Sequence, residues 1–126
     1  MSWQPEVEEI TRRRELAARM GGPEGIARQR KRGKLTVRER IDRIADPGSF
    51  REFMGFAGHG TYEDGELKDF TPKGSVEGMC EMDGRKVIVS AGDFTVSGGS
   101  GTATGGGMGQ ELSSAKRALE IGRAHV

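Results

Sequence analysis

The sequence predicts an α/β fold in which a helical arm precedes a β-rich segment. Two observations lead to this prediction. A capped amphipathic helix pattern covers residues 36–44, and the tripeptide Asp46-Pro47-Gly48 ends it. Two strand-like runs, 75–82 and 85–91, flank Asp83-Gly84, the residue pair preferred in a tight hairpin turn. Helical periodicity therefore belongs to the first part of the chain, and strand patterns to the part that follows.

The first two helices of the arm are predicted from proline and glycine punctuation. Pro5 suits a first helical turn, and the helix is expected to continue to Met20, where Gly21-Gly22 ends it. A second, short helix is expected to begin at Pro23 and to stop near Gly33. The apolar residues expected to face inward on these two helices are Ile10, Leu16, Ala17, Ile26 and Ala27.

The third helix has the clearest start, stop and buried face. Thr36 and Glu39 form a capping box, in which hydroxyl and carboxylate each satisfy a backbone N–H at the helix start. The tripeptide at 46–48 ends the helix, because proline cannot continue it and glycine accepts turn dihedrals. The apolar stripe, at spacings of four and three, is expected to contain Val37, Ile41 and Ile44.

The β-rich segment is predicted to be centred on one hairpin. Residues 58–73 are interpreted as a loop with a short strand at most, because their apolar residues stand among acidic and turn residues. In the hairpin, Val87-Ile88-Val89 is apolar on both faces, which is typical of a strand inside a larger sheet. A flexible glycine-rich stretch, 101–109, and a last helix from Gln110 are expected to follow. Val76, Cys80 and Met82 are expected to share one face, with Val87 and Val89 pairing opposite.

Composition limits the classes of protein and site. Leu, Ile, Val and Phe make up less than a fifth of the 126 residues, whereas glycine occurs 21 times, so the chain is expected to need further chain or a partner to bury a core. The single cysteine, Cys80, excludes an internal disulfide and is expected to be a small buried residue, and no metal site is predicted. No apolar run reaches the length of a membrane span or resembles a signal peptide. We therefore expect a cytoplasmic protein without a membrane partner.

Positive charge is concentrated in the helical arm. Through Arg43 there are twelve Lys or Arg against seven Asp or Glu. The acidic residues alternate with the basic ones at helical spacing, which favours a solvated helix face or a subunit contact over a nucleic-acid track. Trp3 and Tyr62 are isolated and offer no base-stacking platform. No nucleic-acid partner is predicted, although a basic nucleic-acid-binding module remains the alternative from a different class.

Two stretches, in this order, resemble landmarks of a known family. The run 33–53 contains Gly-Lys-Leu-Thr-Val-Arg-Glu-Arg-Ile and then Asp-Pro-Gly-Ser-Phe-Arg-Glu, and it follows a glycine-rich opening at Gly21-Gly22. It resembles the N-terminal signature of the carboxyltransferase (beta) subunits of biotin-dependent acyl-CoA carboxylases, except that Arg30 stands where the family usually has histidine. The run Asp93-Phe-Thr-Val-Ser-Gly-Gly-Ser100 resembles the second landmark of that family.

The resemblance implies a fold and a division of the chain. Family members have a crotonase-like (ClpP/crotonase) fold of stacked ββα units, of which this chain would hold an incomplete part. Residues 1–48 would be an N-terminal helical arm, and residues 49–120 the start of the acyl-CoA carboxyltransferase N-terminal domain. The segment 121–126 is interpreted as the translation of a sequencing adapter, so His125 is excluded as a catalytic candidate.

The resemblance also implies a reaction, in which carboxybiotin donates its carboxyl group to an acyl-CoA through a thioester enolate. Biotin would arrive on a biotin carboxylase or biotin carboxyl carrier partner, and the beta subunits would form a homo-oligomer. Gly98 and Gly99 are candidate oxyanion-hole amides, because glycine lets the chain turn and approach the thioester closely. The candidate acyl-CoA-binding residues are Phe94, Gly98, Gly99 and Ser100. A biotin-dependent acyl-CoA decarboxylase or transcarboxylase subunit shares these landmarks and remains the alternative within the family.

Several other polar residues have two interpretations. Asp93 is interpreted as a cap for the next turn rather than as a base, and His59 as an exposed loop residue. The glycine-rich stretch 101–109 lacks the P-loop pattern, so it is not predicted to bind a nucleotide phosphate. The basic residues that could either meet CoA phosphates or remain solvated are Arg28, Lys31, Arg32 and Lys34.

Overall fold

A computed structural model describes residues 2–96, 98, 116 and 118–120 of the chain. Three helices come first, and five strands follow them in two antiparallel sheets, β1-β4-β5 and β2-β3. The predicted order of a helical arm and a β-rich segment is therefore confirmed. The helices are α1 (Gln4–Ala18), α2 (Gly22–Lys31) and α3 (Val37–Ile44), and the strands are β1 (Arg51–Glu52), β2 (Gly58–Glu63), β3 (Glu66–Pro72), β4 (Ser75–Met82) and β5 (Arg85–Gly92).

The last part of the chain is only partly described. Residues 116 and 118–120 are helical, as the prediction of a last helix requires at those positions. The stretch 101–109 and the segment 121–126 lie outside the described residues, as does the predicted start of the last helix at Gln110. Within the described ranges, no helix combines the length and the apolar character that a bilayer crossing needs.

Helix α1 packs on the β2–β3 hairpin through a face that differs from the predicted stripe. Ala17 is buried as expected, but Ile10 is exposed. The guanidinium of Arg13 lies 5.4 Å from the centre of the Phe70 ring on β3, so a cation–π contact takes part of the role expected of apolar side chains. Apolar spacing alone therefore misplaced this interface.

Helix α2 buries a glycine and a glutamine, Gly25 and Gln29, and the predicted inward position of Ala27 was wrong. Ile26 is half-buried and Ala27 is exposed. The reason is a close approach, because a Cβ on Gly25 would lie 3.0 Å from the carbonyl oxygen of Thr95. Only a residue without a side chain lets the helix pack this near to another backbone segment.

Helix α3 begins as predicted but buries less of its stripe. The Thr36 hydroxyl accepts from the Glu39 N–H at 3.2 Å and donates to the Glu39 carboxylate at 3.0 Å. Hydrogen bonds from Thr36 and then from Arg30 hold the pKa of Glu39 below its usual value. Val37 and Ile41 are almost fully buried, whereas Ile44 is 49% exposed, so the prediction for Ile44 was wrong. Ala45 is extended and packs against the core instead, because the helix ends one residue before it.

The β4–β5 hairpin confirms the strand prediction, and β5 extends one residue beyond the predicted end, to Gly92. Cys80 pairs with Val87 and Gly78 with Val89. Within the described residues β5 is an edge strand, so its place inside a larger sheet stays a prediction. The core formed by α3 and this hairpin contains Val37, Ile41, Val76, Cys80 and Val89, with Met82, Val87 and Ala91 partly buried against it.

The turn of this hairpin is capped from outside. Asp83 and Gly84 both have positive φ, 50° and 79°. Their two N–H groups donate to the Asp46 carboxylate, each at 2.9 Å. Asp46, the second residue after α3, therefore also holds the tip of the hairpin.

The segment 58–73 forms a second hairpin, and its interpretation as a loop was wrong. Strands β2 and β3 pair from Gly58 with Pro72 to Glu63 with Glu66. Their turn is Asp64-Gly65, with φ values of 51° and 78°. The signal was therefore present, because this is the same residue pair that identified the other hairpin.

Candidate functional site

A cleft of about 240 Å³ opens between α2 and the turn that follows β5. One wall belongs to the helix and the other to the turn. A larger cavity of about 390 Å³ also contacts Thr95, but neither Phe94 nor Gly98 lines it. The smaller cleft is therefore the one that contains predicted site residues. Its lining residues are Gly25, Arg28, Gln29, Arg32, Phe94, Thr95 and Gly98.

The turn wall is built on Asp93, which is only 2% exposed. Its N–H donates to the carbonyl oxygen of Gly74 at 2.8 Å, which ties the turn to the start of β4. One carboxylate oxygen accepts from the N–H of Thr95 at 2.9 Å and from its hydroxyl at 2.6 Å. The backbone carbonyl of Asp93 also accepts from the Val96 N–H at 3.2 Å. Asp93 therefore caps the turn, as the sequence predicted.

Two of the predicted site residues lie on this turn and line the cleft together. Phe94 is 62% exposed, which is unusual for a phenylalanine and leaves its ring available to a ligand. Gly98 has a φ of +64°, a conformation that favours glycine. Val96, buried between them, anchors the turn in the protein. Gly99 and Ser100 lie outside the described residues, so their roles stay predictions.

The helix wall contributes two cations. Arg28 lies in the last turns of α2, Arg32 is the residue that directly follows the helix, and both line the cleft, whereas Lys31 and Lys34 do not. Neither arginine forms an ion pair with an acidic residue in the described part of the chain. A guanidinium presents several N–H donors in one plane and suits phosphate or carboxylate ligands. The structure thus divides the four basic residues and places two of them beside the predicted site.

Arg30, which stands where the family usually has histidine, does not line the cleft. Its guanidinium lies 3.2 Å from the Glu39 carboxylate, at the capped start of α3. His59 is also remote, because it lies exposed on β2 rather than in the predicted loop. The described ranges contain no group of three or more His, Cys, Asp or Glu residues that could hold a metal ion.

A partly buried cluster of charged residues lies near Asp93. Arg38 on α3 makes a bidentate ion pair with Glu52 on β1, with N–O distances of 2.9 and 3.0 Å. Lys73 is only 9% exposed, and burial lowers its pKa, although Glu77 and Glu52 oppose that shift. Glu77 on β4 is fully buried. No local sequence signal marks this cluster, since its members come from three elements and from the loop between β3 and β4.

Comparison with known proteins finds relatives along most of the chain. The carboxyl transferase domain family matches residues 28–121. The carboxyltransferase subunit of propionyl-CoA carboxylase from Haloferax mediterranei is 44% identical over 101 residues, which are 79% of this chain and 20% of that protein. The mitochondrial propionyl-CoA carboxylase beta chain of Homo sapiens is 44% identical over 96 residues, which are 74% of this chain and 18% of that protein. The chain therefore spans about a fifth of the length of these relatives.

A solved structure shows the same backbone arrangement. Transcarboxylase 12S, crystallised as a hexamer with methylmalonyl-coenzyme A and methylmalonic acid bound, superimposes with a TM-score of 0.63 at 36% sequence identity. The likeness covers 79% of this chain and 20% of the transcarboxylase chain. It confirms the predicted α/β, crotonase-like fold.

Proposed function

The chain belongs to the carboxyl transferase domain family, and we propose that the full-length protein is the carboxyltransferase subunit of a biotin-dependent acyl-CoA carboxylase. The substrate would be a short acyl-CoA such as propionyl-CoA, since the relatives are named for that substrate. A biotin carboxylase or biotin carboxyl carrier partner, a homo-oligomer of beta subunits and a cytoplasmic location are parts of the same proposal.

The observation that carries this proposal is the composition of the cleft. Arg28 and Arg32 on one wall would bind a phosphate group of acyl-CoA, since two unpaired guanidinium groups offer charge and several donors. Phe94 on the other wall offers an apolar surface to the acyl or pantetheine part. An acyl-CoA has both kinds of group in one molecule, which matches a cleft with two unlike walls.

The reaction needs a place for negative charge on the thioester oxygen. When its carrier is bound, carboxybiotin supplies the carboxyl group, and no described residue is assigned to it. Gly98 would offer its N–H to the enolate oxygen, with Gly99 as the second donor. The left-handed conformation of Gly98 lets the backbone turn here, and the absence of a Cβ leaves room for the thioester. Phe94 and Ser100 would line the acyl part of the pocket.

Replacing the two arginines tests the proposal. Arg28→Gln and Arg32→Gln in the full-length enzyme should each raise the KM for propionyl-CoA by about tenfold, the usual order for one lost charge-assisted contact. The kcat should change little, because the phosphate lies away from the reacting carbon. Steady-state carboxylation rates at varied propionyl-CoA concentration provide the measurement.

Lys31→Gln is the matched control, since Lys31 is an exposed cation on the same helix that does not line the cleft. Its KM should equal that of the wild type. Equal KM increases in all three variants would show that the effect comes from net charge alone. An unchanged KM in the arginine variants would show that the cleft does not bind acyl-CoA.

The likeness to transcarboxylase 12S favours a second candidate, a biotin-dependent transcarboxylase or decarboxylase subunit. The two candidates differ in the source of the carboxyl group. The assembled enzyme should fix bicarbonate only with ATP if it is a carboxylase, whereas a transcarboxylase should move the carboxyl group of one compound to an acyl-CoA without ATP. The nucleic-acid alternative receives no support from the family match.

A further inference from the structure

The two walls of the cleft are joined at Thr95. Its hydroxyl accepts a hydrogen bond from the backbone N–H of Gly21 at 2.9 Å, across 74 residues of sequence. The same hydroxyl donates to the Asp93 carboxylate at 2.6 Å. In the part of the chain that the structure describes, the Gly21 contact is the one hydrogen bond between the α1–α2 corner and the turn. Thr95 therefore links an element of each wall.

The backbones are also unusually close at this point. A Cβ on Gly21 would lie 1.7 Å from the carbonyl oxygen of Thr95, which no side chain can accommodate. A Cβ on Gly25, one turn into α2, would lie 3.0 Å from the same oxygen. The helix that presents Arg28 and Arg32 thus rests directly on the Thr95 backbone, and its N-terminal end is held there by the hydroxyl.

We propose that Thr95 is a positioning residue, which sets the spacing between the α2 arginines and the turn that contains Phe94 and Gly98. The inference rests on the proposed function, in which one acyl-CoA contacts both walls. Thr95 itself is not assigned to the chemistry. It determines whether a ligand that binds the arginines also reaches the glycine turn.

The side chain has few chemical substitutes. A hydroxyl accepts one hydrogen bond and donates another at the same time, whereas an isosteric valine can do neither. Serine keeps both capacities. The turn itself should survive the loss of the hydroxyl, because Asp93 still accepts from the Thr95 N–H, and its own N–H still donates to Gly74. Thr95→Val therefore loosens the link between the walls while it keeps the turn.

Two thioesters separate positioning from general damage. Thr95→Val in the full-length enzyme should lower kcat/KM for propionyl-CoA by up to about tenfold, mainly through KM, which is the upper end of what one lost hydrogen bond contributes. The kcat/KM for propionyl-pantetheine should stay within about twofold, because that substrate lacks the phosphates and contacts only the turn wall. Thr95→Ser should behave as the wild type with both thioesters.

A double-mutant cycle adds the decisive comparison. In the Arg28→Gln, Arg32→Gln background, Thr95→Val should add less than about twofold to the loss with propionyl-CoA, since residues that act through one another are not additive. Thr95→Ala, which also lacks the hydroxyl, serves the same cycle if the valine variant is insoluble. Size-exclusion chromatography of each variant checks assembly.

The outcomes separate the inference from the proposed function. Equal losses with both thioesters, or full additivity with the arginine changes, would show a merely structural Thr95 and overturn the inference alone. A serine variant as impaired as the valine variant would overturn it as well, since the hydroxyl would then be irrelevant. A wild-type enzyme that carboxylates neither thioester would overturn the proposed function together with the inference.

Discussion

The two hairpins in the described part of this protein have the same turn but different positions in the fold. Asp64-Gly65 and Asp83-Gly84 have nearly identical φ values, and both connect antiparallel strands. The β4–β5 hairpin contributes Cys80 and other buried residues to the core under α3. The β2–β3 hairpin forms a separate two-stranded sheet and buries Leu67 and Phe70.

The capping of the two turns differs as well. The Asp46 carboxylate accepts from both N–H groups of the β4–β5 turn, whereas no described side chain does the same at Asp64-Gly65. The Asp-Gly pair therefore specifies a hairpin in both places. Packing and capping involve residues that are distant in sequence, and they determine how much of the fold depends on each hairpin.

The largest change in the free energy of unfolding that would test the difference between the two hairpins is expected from a substitution at Gly78 on β4. Gly78→Ala should destabilise the protein by about 3 kcal/mol, because the added Cβ meets a rigid backbone and an aromatic ring. That Cβ would lie 2.4 Å from the Arg51 carbonyl oxygen and 2.6 Å from the Phe50 ring. Gly58→Ala is equally crowded, at 2.3 Å from the Thr71 carbonyl oxygen, but should open only the β2–β3 hairpin.

Alkylation of Cys80 measures the difference. Burial raises the pKa of this thiol, so the folded protein should react slowly with iodoacetamide near pH 8. The pKa of Cys80 is higher in the folded protein than in the unfolded chain, so the free energy of unfolding falls only when the pH rises above the ordinary thiol pKa. An assay below that pH therefore compares the variants without a contribution from thiol ionisation. Gly78→Ala should speed alkylation, and Gly58→Ala should not.

Gly92→Ala provides the control for that comparison, since no atom lies within 4 Å of its added Cβ. Its alkylation rate should match the wild type. Equal acceleration by Gly58→Ala and Gly78→Ala would mean that the two hairpins open together, and the contrast drawn between them would be wrong.

A smaller effect is expected from removal of the cap. Asp46→Ala deletes a charged acceptor of two hydrogen bonds and should cost about 2 kcal/mol. Hydrogen exchange at the Asp83 and Gly84 amides should accelerate while exchange at Asp64-Gly65 stays unchanged. Asp42→Ala, an exposed change on α3, is the matched control. Protection of the Asp83 amide in the alanine variant would show that the turn does not need its cap.

The smallest effect is expected on the side of β2–β3. The Tyr62 hydroxyl accepts a hydrogen bond from Arg13 at 2.6 Å and donates one to Glu9, so it connects α1 to the β2–β3 hairpin. Tyr62→Phe should cost about 0.5 kcal/mol, because the three side chains are partly solvated. Amides of α1 should exchange faster, with Glu63→Gln on the same strand as control. A change in Cys80 alkylation would contradict the separation of the two regions.

The sequence could predict the elements whose signals are local. The capping box of α3, the β4–β5 hairpin and the capping role of Asp93 each depend on residues within a few positions of one another. The β2–β3 hairpin was missed because its strands are mostly polar and exposed, although Asp64-Gly65 marked the turn. The exposure of Ile44 could not be predicted locally. Periodicity defines which face of α3 is apolar, but it does not show how far along the helix the hairpin that covers this face extends.

The candidate site was predictable only in part. The turn residues Phe94 and Gly98 were identified by resemblance, and the structure places them in one cleft. Arg28 and Arg32 could not be separated from the other basic residues of the arm, because their position depends on the packing of Gly21 and Gly25 against Thr95. A contact between segments some 74 residues apart produces no periodic pattern in the sequence from which it could be predicted.

The Asp46 cap also has a consequence for the order of events in folding. A hairpin with an Asp-Gly turn can form from neighbouring residues within microseconds. The cap joins groups 37 and 38 positions apart, so it becomes available only after a much longer loop has closed. We therefore expect the cap to prolong the lifetime of a hairpin that has already formed, rather than to speed its formation.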